Sequence, residues 1–202
     1  MKLASAVVAL VPCLLSTVAR ADSAPETHDG FLLRLSLGFG YESWTVDDGF
    51  GTQIDITGFG AGTSIGIGGM VAPNLAINAD LFASAIASPN VAQNGVDLGE
   101  ASDASVSLGA IGVGVTYWLM PVNVYLAGSI GLGQASVKEN GSSFDADFGL
   151  ALDFLVGKEF WVGREWGIGI AGQFIYANVP TNDSEASSSY MAFNVLFSAT
   201  FN

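Results

Sequence analysis

Leu33-Arg34-Leu35-Ser36-Leu37-Gly38-Phe39-Gly40-Tyr41-Glu42 alternates without a break between a large apolar residue and a small or polar one. A period of two is the mark of a β-strand with two unlike faces, and the same rhythm returns along the chain. From residue 56, Phe59, Ala61, Ile65, Ile67 and Val71 alternate with Gly58, Gly60, Gly62, Ser64, Gly66 and Gly68. Leu75, Ile77, Ala79 and Leu81 are set against Ala76, Asn78, Asp80 and Phe82. Further strands are expected over about 104 to 119, from Val124 to about Ser136, and in the runs Phe148 to Gly157, Trp166 to Tyr176 and Met191 to Phe201. Each of these eight can supply the roughly 9 to 11 residues that a tilted strand needs to cross a bilayer. In the fourth, Val106, Leu108 and Ala110 share one parity while Ile111, Val113, Val115 and Tyr117 share the other, so a bulge is expected near Ala110.

The connections alternate in character. Ala72-Pro73-Asn74, Met120-Pro121-Val122-Asn123 and the segment around Lys158 to Glu165 are short, whereas 45–54, 86–103, 137–146 and 178–188 are more polar and mostly longer. Short turns on one side and long loops on the other are the pattern of an outer-membrane barrel, with the turns periplasmic. Composition agrees: half of the residues are hydrophobic, yet only 12% are charged, against about a quarter in a soluble domain. After residue 21 no apolar run approaches the length of a transmembrane helix. The fold class expected is therefore all-β, an eight-stranded antiparallel up-and-down transmembrane β-barrel.

Residues 1–21 read as a cleavable signal peptide: Lys2, an apolar stretch and then Ala19-Arg20-Ala21 before a cut at Asp22. Residues 22–29 read as a flexible leader, and 30–202 as the barrel. Cleavage removes Cys13, the sole cysteine, so the mature chain has no means of building a disulfide framework, a cysteine-ligated zinc site or a catalytic thiol. It also removes Lys2 and Arg20, making a chain of formal charge −13 more acidic still. Nucleic acid, which needs clustered Lys and Arg, is excluded as a partner.

With strands and turns in place, the chain resembles the OmpA membrane-domain, OmpX and OmpW group of eight-stranded barrels over Gly30 to Asn202. The most specific part is the closing strand, Met191-Ala-Phe-Asn-Val-Leu-Phe197-Ser-Ala-Thr-Phe201, which resembles the C-terminal signal read by the barrel-assembly machinery. That signal usually ends on an aromatic, and here Asn202 follows Phe201. The resemblance implies a monomer in the outer membrane, with outer-membrane lipid and lipopolysaccharide around it, loops outside and both termini in the periplasm.

Two aromatic girdles are expected from residues near strand ends: Tyr117, Trp118, Tyr125, Trp161 and Trp166 on the turn side, and Tyr41, Trp44, Tyr176 and Tyr190 on the loop side. Arg34 is the one basic residue on an expected strand, and its parity points inward, as do those of Asp80 and Asp153. A guanidinium in a narrow lumen needs a carboxylate to offset its desolvation. A lumen network is expected in which Arg34 pairs with Asp80 or Asp153 and Asn78, Gln173 and Asn194 complete the bonding.

Three readings of function follow. The first is a structural or surface-interaction protein with a polar plug. The second, implied by the OmpW resemblance, is a narrow channel for small molecules. The third, a lipid-modifying enzyme, would need a histidine beside a serine nucleophile on the barrel. His28, the sole histidine, precedes strand 1 and reads as a solvated leader residue. Gly167-Ile-Gly169-Ile-Ala-Gly172 matches the dinucleotide fingerprint in letters, but the strand runs on through Phe174-Ile-Tyr176 where a helix is required. No catalytic, cofactor or metal residues are assigned. The acids Asp47, Asp48, Asp97, Glu100, Asp103, Glu139, Asp145, Asp147, Asp183 and Glu185 fall in the outer loops, where they hydrate the surface or collect divalent cations.

Overall fold

A computed structural model describes residues 28–180 and 187–201. The expected signal peptide with Cys13, most of the leader, and the loop acids Asp183 and Glu185 lie outside the described residues. Among the described residues, eleven strands form one antiparallel sheet: β1 (Phe31–Asp47), β2 (Gln53–Ala72), β3 (Leu75–Ala87), β4 (Asn90–Gln93), β5 (Val96–Glu100), β6 (Ala104–Leu119), β7 (Val124–Glu139), β8 (Ser142–Asp145), β9 (Gly149–Trp161), β10 (Trp166–Asn178) and β11 (Ser187–Phe201). Eight of these are staves, in the order β1, β2, β3, β6, β7, β9, β10, β11, and β11 returns to pair with β1.

Closure carries a fixed stagger. From Leu33 the ladder passes to Ile67, Ala79, Val113, Ile130, Leu152, Tyr176 and Met191, and it comes back to β1 at Ser43, ten residues beyond its start. A shear of that size on eight strands sets a tilt of roughly 40° and a bore just wide enough for side chains.

The two faces of the wall differ as the alternation requires. Leu35, Leu37, Phe39, Phe59, Ile111, Val113, Ile130, Phe193 and Phe197 point outward and are exposed. An apolar surface this continuous is untenable in water and fits hydrocarbon. The opposite parity buries Arg34, Ser64, Asn78, Asp80, Thr116, Asp153 and Asn194.

Two expectations are corrected. β6 pairs with β3 and with β7 in unbroken register through Ala110, so there is no bulge. Val106, Leu108 and Ala110 are apolar although they face inward, because the loop half of the lumen is itself an apolar core. Secondly, two of the outer connections, 86–103 and 137–146, carry sheet of their own. β4 pairs with the loop end of β2, β5 follows it through Asn94-Gly95, and β8 folds back on β7 through Asn140-Gly141. Both Asn-Gly pairs have positive φ at each residue, as a two-residue hairpin demands. The Gly167–Gly172 run lies wholly within β10.

Val113 sits near the middle of β6 and faces outward. Val113→Arg should lower folding stability in vesicles by about 2–4 kcal/mol, the usual cost of an arginine on the lipid face, as read by denaturant titration. Phe50→Arg, at an exposed loop tip, should change it little.

Candidate functional site

The lumen is filled in three layers. At its middle, Arg34 lies level with Gly66 of β2, and Gly66 with Asp80 of β3. The guanidinium reaches over the bare glycine to within 3.6 Å of the Asp80 carboxylate, both groups fully buried. A Cβ on Gly66 would come 2.8 Å from Asp80 Oδ1 and 3.4 Å from Arg34 Nη2, so the glycine makes room for the pair. Arg34 Nη1 donates to Thr116 Oγ1 at 2.9 Å, and Thr116 donates on to Asn78 Oδ1 at 3.2 Å. Asn78 Nδ2 donates to Asp80 Oδ2 at 2.6 Å, and the Ser129 hydroxyl donates to the same oxygen. The guanidinium carbon stands 5.3 Å from the Tyr125 ring centre. Each residue of the network thus bonds to another, which offsets part of the cost of burying the ion pair, while Arg34 Nε and Nη2 and Asp80 Oδ1 have no hydrogen-bond partner among the described residues.

Other expected members stand apart. Asn194 Nδ2 donates to Gln173 Oε1 at 2.9 Å, a pair bonded to each other rather than to Arg34. Asp153 is buried level with Ser129, with the Gln173 side chain beside it, and among the described residues neither of its oxygens has a partner in strict hydrogen-bond geometry. Arg34 takes Asp80 because the register puts a glycine, and no obstacle, between them.

Toward the loop end the filling turns apolar. Trp44, Phe82, Leu108, Ile175 and Tyr190 pack with Val106, Ala151 and Ala192 into one cluster, with Val46, Ile56 and Val137 resting on it. A polar island sits inside: Tyr190 OH donates to Glu42 and Trp44 Nε1 to Ser188 Oγ. At the turn end, Trp118 Nε1 donates to Glu159 Oε2 at 3.0 Å and Thr200 Oγ1 donates to Glu159 Oε1. There His28 Nε2 lies 2.7 Å from Asn123 Oδ1, and its ring stacks on Trp118 with centroids 4.3 Å apart.

These placements correct several girdle residues. Trp44, Trp118, Tyr125 and Tyr190 are buried inside the lumen, and Trp161 turns toward His28 at the mouth. Tyr41, Tyr117 and Trp166 are exposed on the outer face and Tyr176 is half-buried there, with Phe31, Phe160 and Phe197 beside them in the outward-facing set. Phe201 packs edge-on against Trp166 at 5.3 Å. His28 is 1% exposed and not solvated. Glu159 falls where the sequence reads as a turn, and it joins the lumen because β9 runs on to Trp161.

The loop end carries the exposed acids Asp97, Glu100, Asp103, Glu139, Asp145 and Asp147, with Lys138 among them and Asp48 half-buried. Among the described residues no three His, Cys, Asp or Glu converge as a metal site would require. Asp48 Oδ1 accepts the backbone N–H of Phe50 at 2.8 Å and of Thr52 at 2.9 Å, and these bonds, that of Thr52 foremost, hold its carboxyl below the ordinary carboxylate range. Concavities of about 500 and 360 Å³ lie on the outer wall around Gly128 and Gly172, among lipid-facing residues, and belong to neither the lumen nor the loops.

No protein-family profile and no curated protein sequence matches the chain. Among solved structures it is similar to Neisserial surface protein A, at 15% identity and a TM-score of 0.54, over 85% of this chain and 96% of that one. The outer membrane protein OprG from Pseudomonas aeruginosa matches at 15% identity and a TM-score of 0.48, over 89% and 100%. AlkL matches at 17% and 0.49, over 90% and 94%. The fold is that of the eight-stranded outer-membrane β-barrels.

Arg34→Met should cost about 3–5 kcal/mol, because it strands the Asp80 charge, and Arg34→Met with Asp80→Asn should recover most of the loss in a double-mutant cycle. Asp48 has a folded pKa below its unfolded one. Its stabilisation of the 48–52 turn is therefore complete above the ordinary carboxylate range and is lost as pH falls through the lowered value. The amide proton resonances of Phe50 and Thr52 should titrate together with a midpoint below 3.8, and Asp48→Asn should abolish that shared titration.

Proposed function

We propose that the protein is a monomeric outer-membrane barrel, with its loops outside and its turns and both chain ends in the periplasm, that acts through its loops and carries no catalytic site. The observation behind this is the loop half of the lumen. Trp44, Phe82, Leu108, Ile175 and Tyr190, none more than 2% exposed, occupy the bore above the polar network. A solute entering from outside would have to displace side chains packed at interior density.

The loop end is the other half of the reading. Its hairpins hold exposed acids in a β-structured platform, so polyanions are repelled, and cationic partners or divalent ions bridging to lipid phosphates are favoured. The barrel wall then serves as the anchor that aims this surface.

One observation favours a narrow channel as the second reading. Polar groups line the glycine-rich side of the wall from Arg34 and Asp80 at Gly66, through Asn194 against Gly62, to Glu42 against Gly60. That column is a path if the apolar cluster parts from it.

Single-channel recording in planar bilayers separates the two. The parent protein should show no stable openings, and Trp44→Ala with Phe82→Ala, which removes two of the bulkiest side chains of the loop half, should produce them. Stable openings in the parent that Arg34→Ala leaves unchanged would overturn the plug and favour the channel.

A further inference from the structure

His28 precedes the first strand, its neighbours Asp29 and Gly30 are exposed, yet it is among the most deeply buried side chains of the chain. Among the described residues its site is assembled from two regions far from it in sequence, the turn end of β6 with the turn that follows and the end of β9. Trp118 comes from the end of β6, Asn123 from the turn that follows it, and Trp161 from the end of β9. The imidazole meets Trp118 at 4.3 Å and 22° and Trp161 at 4.8 Å and 33°, while Nε2 lies 2.7 Å from the Asn123 side-chain oxygen.

Two parts of this site, the Trp118 indole and the Asn123 backbone, are held by bonds that do not involve His28, whereas Trp161 Nε1 has no hydrogen-bond partner among the described residues. The Trp118 indole is fixed by Glu159, the Glu159 carboxylate is also bound by Thr200, and the Glu159 backbone N–H donates to the Asn123 carbonyl at 3.0 Å. A frame tied together in this way keeps the Trp118 and Asn123 sides of the socket in place when the occupant leaves. Immediately inside it stand Leu32, Ala76 and Tyr125, and behind them the Arg34 network.

We infer that the turn-end mouth carries a preformed binding site for a small planar nitrogen heterocycle, that His28 fills it from the same chain, and that this histidine thereby stoppers the polar half of the lumen. The two indoles select a flat ring, since stacking falls away with any other shape. The Asn123 oxygen selects a ring that bears an N–H, because a bare C–H there would leave the buried acceptor unpaired. Imidazole meets both demands, and an aliphatic amine or a hydrocarbon ring meets only one.

Thiol labelling tests this in a Cys13→Ser background, so that the introduced cysteine is the sole thiol. Ala76→Cys places it just inside the mouth, and Ala192→Cys places one in the apolar loop half. With His28 present, a water-soluble methanethiosulfonate should label both variants slowly. His28→Gly should speed labelling of the Ala76→Cys variant by about tenfold, the signature of a lost local closure, and leave the Ala192→Cys variant unchanged. Added imidazole should slow the reaction at position 76 again, whereas methylamine should not. Trp161→Ala, which keeps His28 but removes one wall, should give a smaller increase of the same kind, and heat-modifiable electrophoretic mobility reports whether each variant is folded. Unchanged labelling at position 76 in folded His28→Gly protein, or equal acceleration at position 192, would overturn the stopper. Failure of imidazole to slow the reaction at position 76 would overturn the preformed site.

Discussion

A backbone N–H or C=O left without a partner in hydrocarbon costs several kcal/mol, so everything else in this molecule depends on the seam where β11 meets β1. That seam pairs Leu33 with Phe201 and runs to Asp47 with Ser187, and it leaves the barrel wall without an edge. The ten-residue stagger with which it closes sets the tilt, and through the tilt the bore. A bore of that width leaves the interior to be filled by the chain's own side chains. The same closure gives the loop hairpins a rigid rim to grow from, with β4 pairing onto β2, β5 onto β4, and β8 onto β7.

The filling is graded along the axis. Polar side chains occupy the middle, where glycines such as Gly66 and Gly62 clear space on one wall so that Arg34, Asp80 and Asn194 can lean across it. Apolar side chains occupy the loop half, and an aromatic and carboxylate cluster occupies the turn end. A charge pair in the middle of a membrane is tolerable only when its partners are supplied within reach, and here they come from β1, β3, β6 and β7 together. Buried side chains thus line the bore at both ends and at its middle, in two apolar clusters with the polar network between them.

Much of this is legible from alternation alone. Parity assigns Arg34, Asp80, Asn78, Gln173, Asn194 and Asp153 to the inside because in a strand successive side chains point to opposite faces. Where strand-end position and parity disagree, parity is the better guide. Trp44 and Tyr190 lie near strand ends, as girdle residues do, but they share the inward parity of Glu42 and Asn194, and that is where they point. Trp118 and Tyr125 follow the same rule on either side of one turn. A bulge at Ala110 follows only if an inward face must be polar, and the apolar loop half removes that requirement. The Asn94-Gly95 and Asn140-Gly141 pairs carry a readable hairpin signal inside segments whose polarity reads as open loop.

By itself the sequence determined the eight staves, the short turns between them and the alternation of faces along each stave, because those depend on near neighbours: a period of two, a glycine or asparagine able to take positive φ, an apolar side chain suited to lipid. Which inward residues meet was decided only by the tertiary structure. Arg34 finds Asp80 and not Asp153 because of inter-strand register and the empty place at Gly66, and His28 finds Trp118, Asn123 and Trp161 because closure brings the ends of distant strands around one mouth. Both are consequences of shear, a property of the closed sheet that no single strand carries.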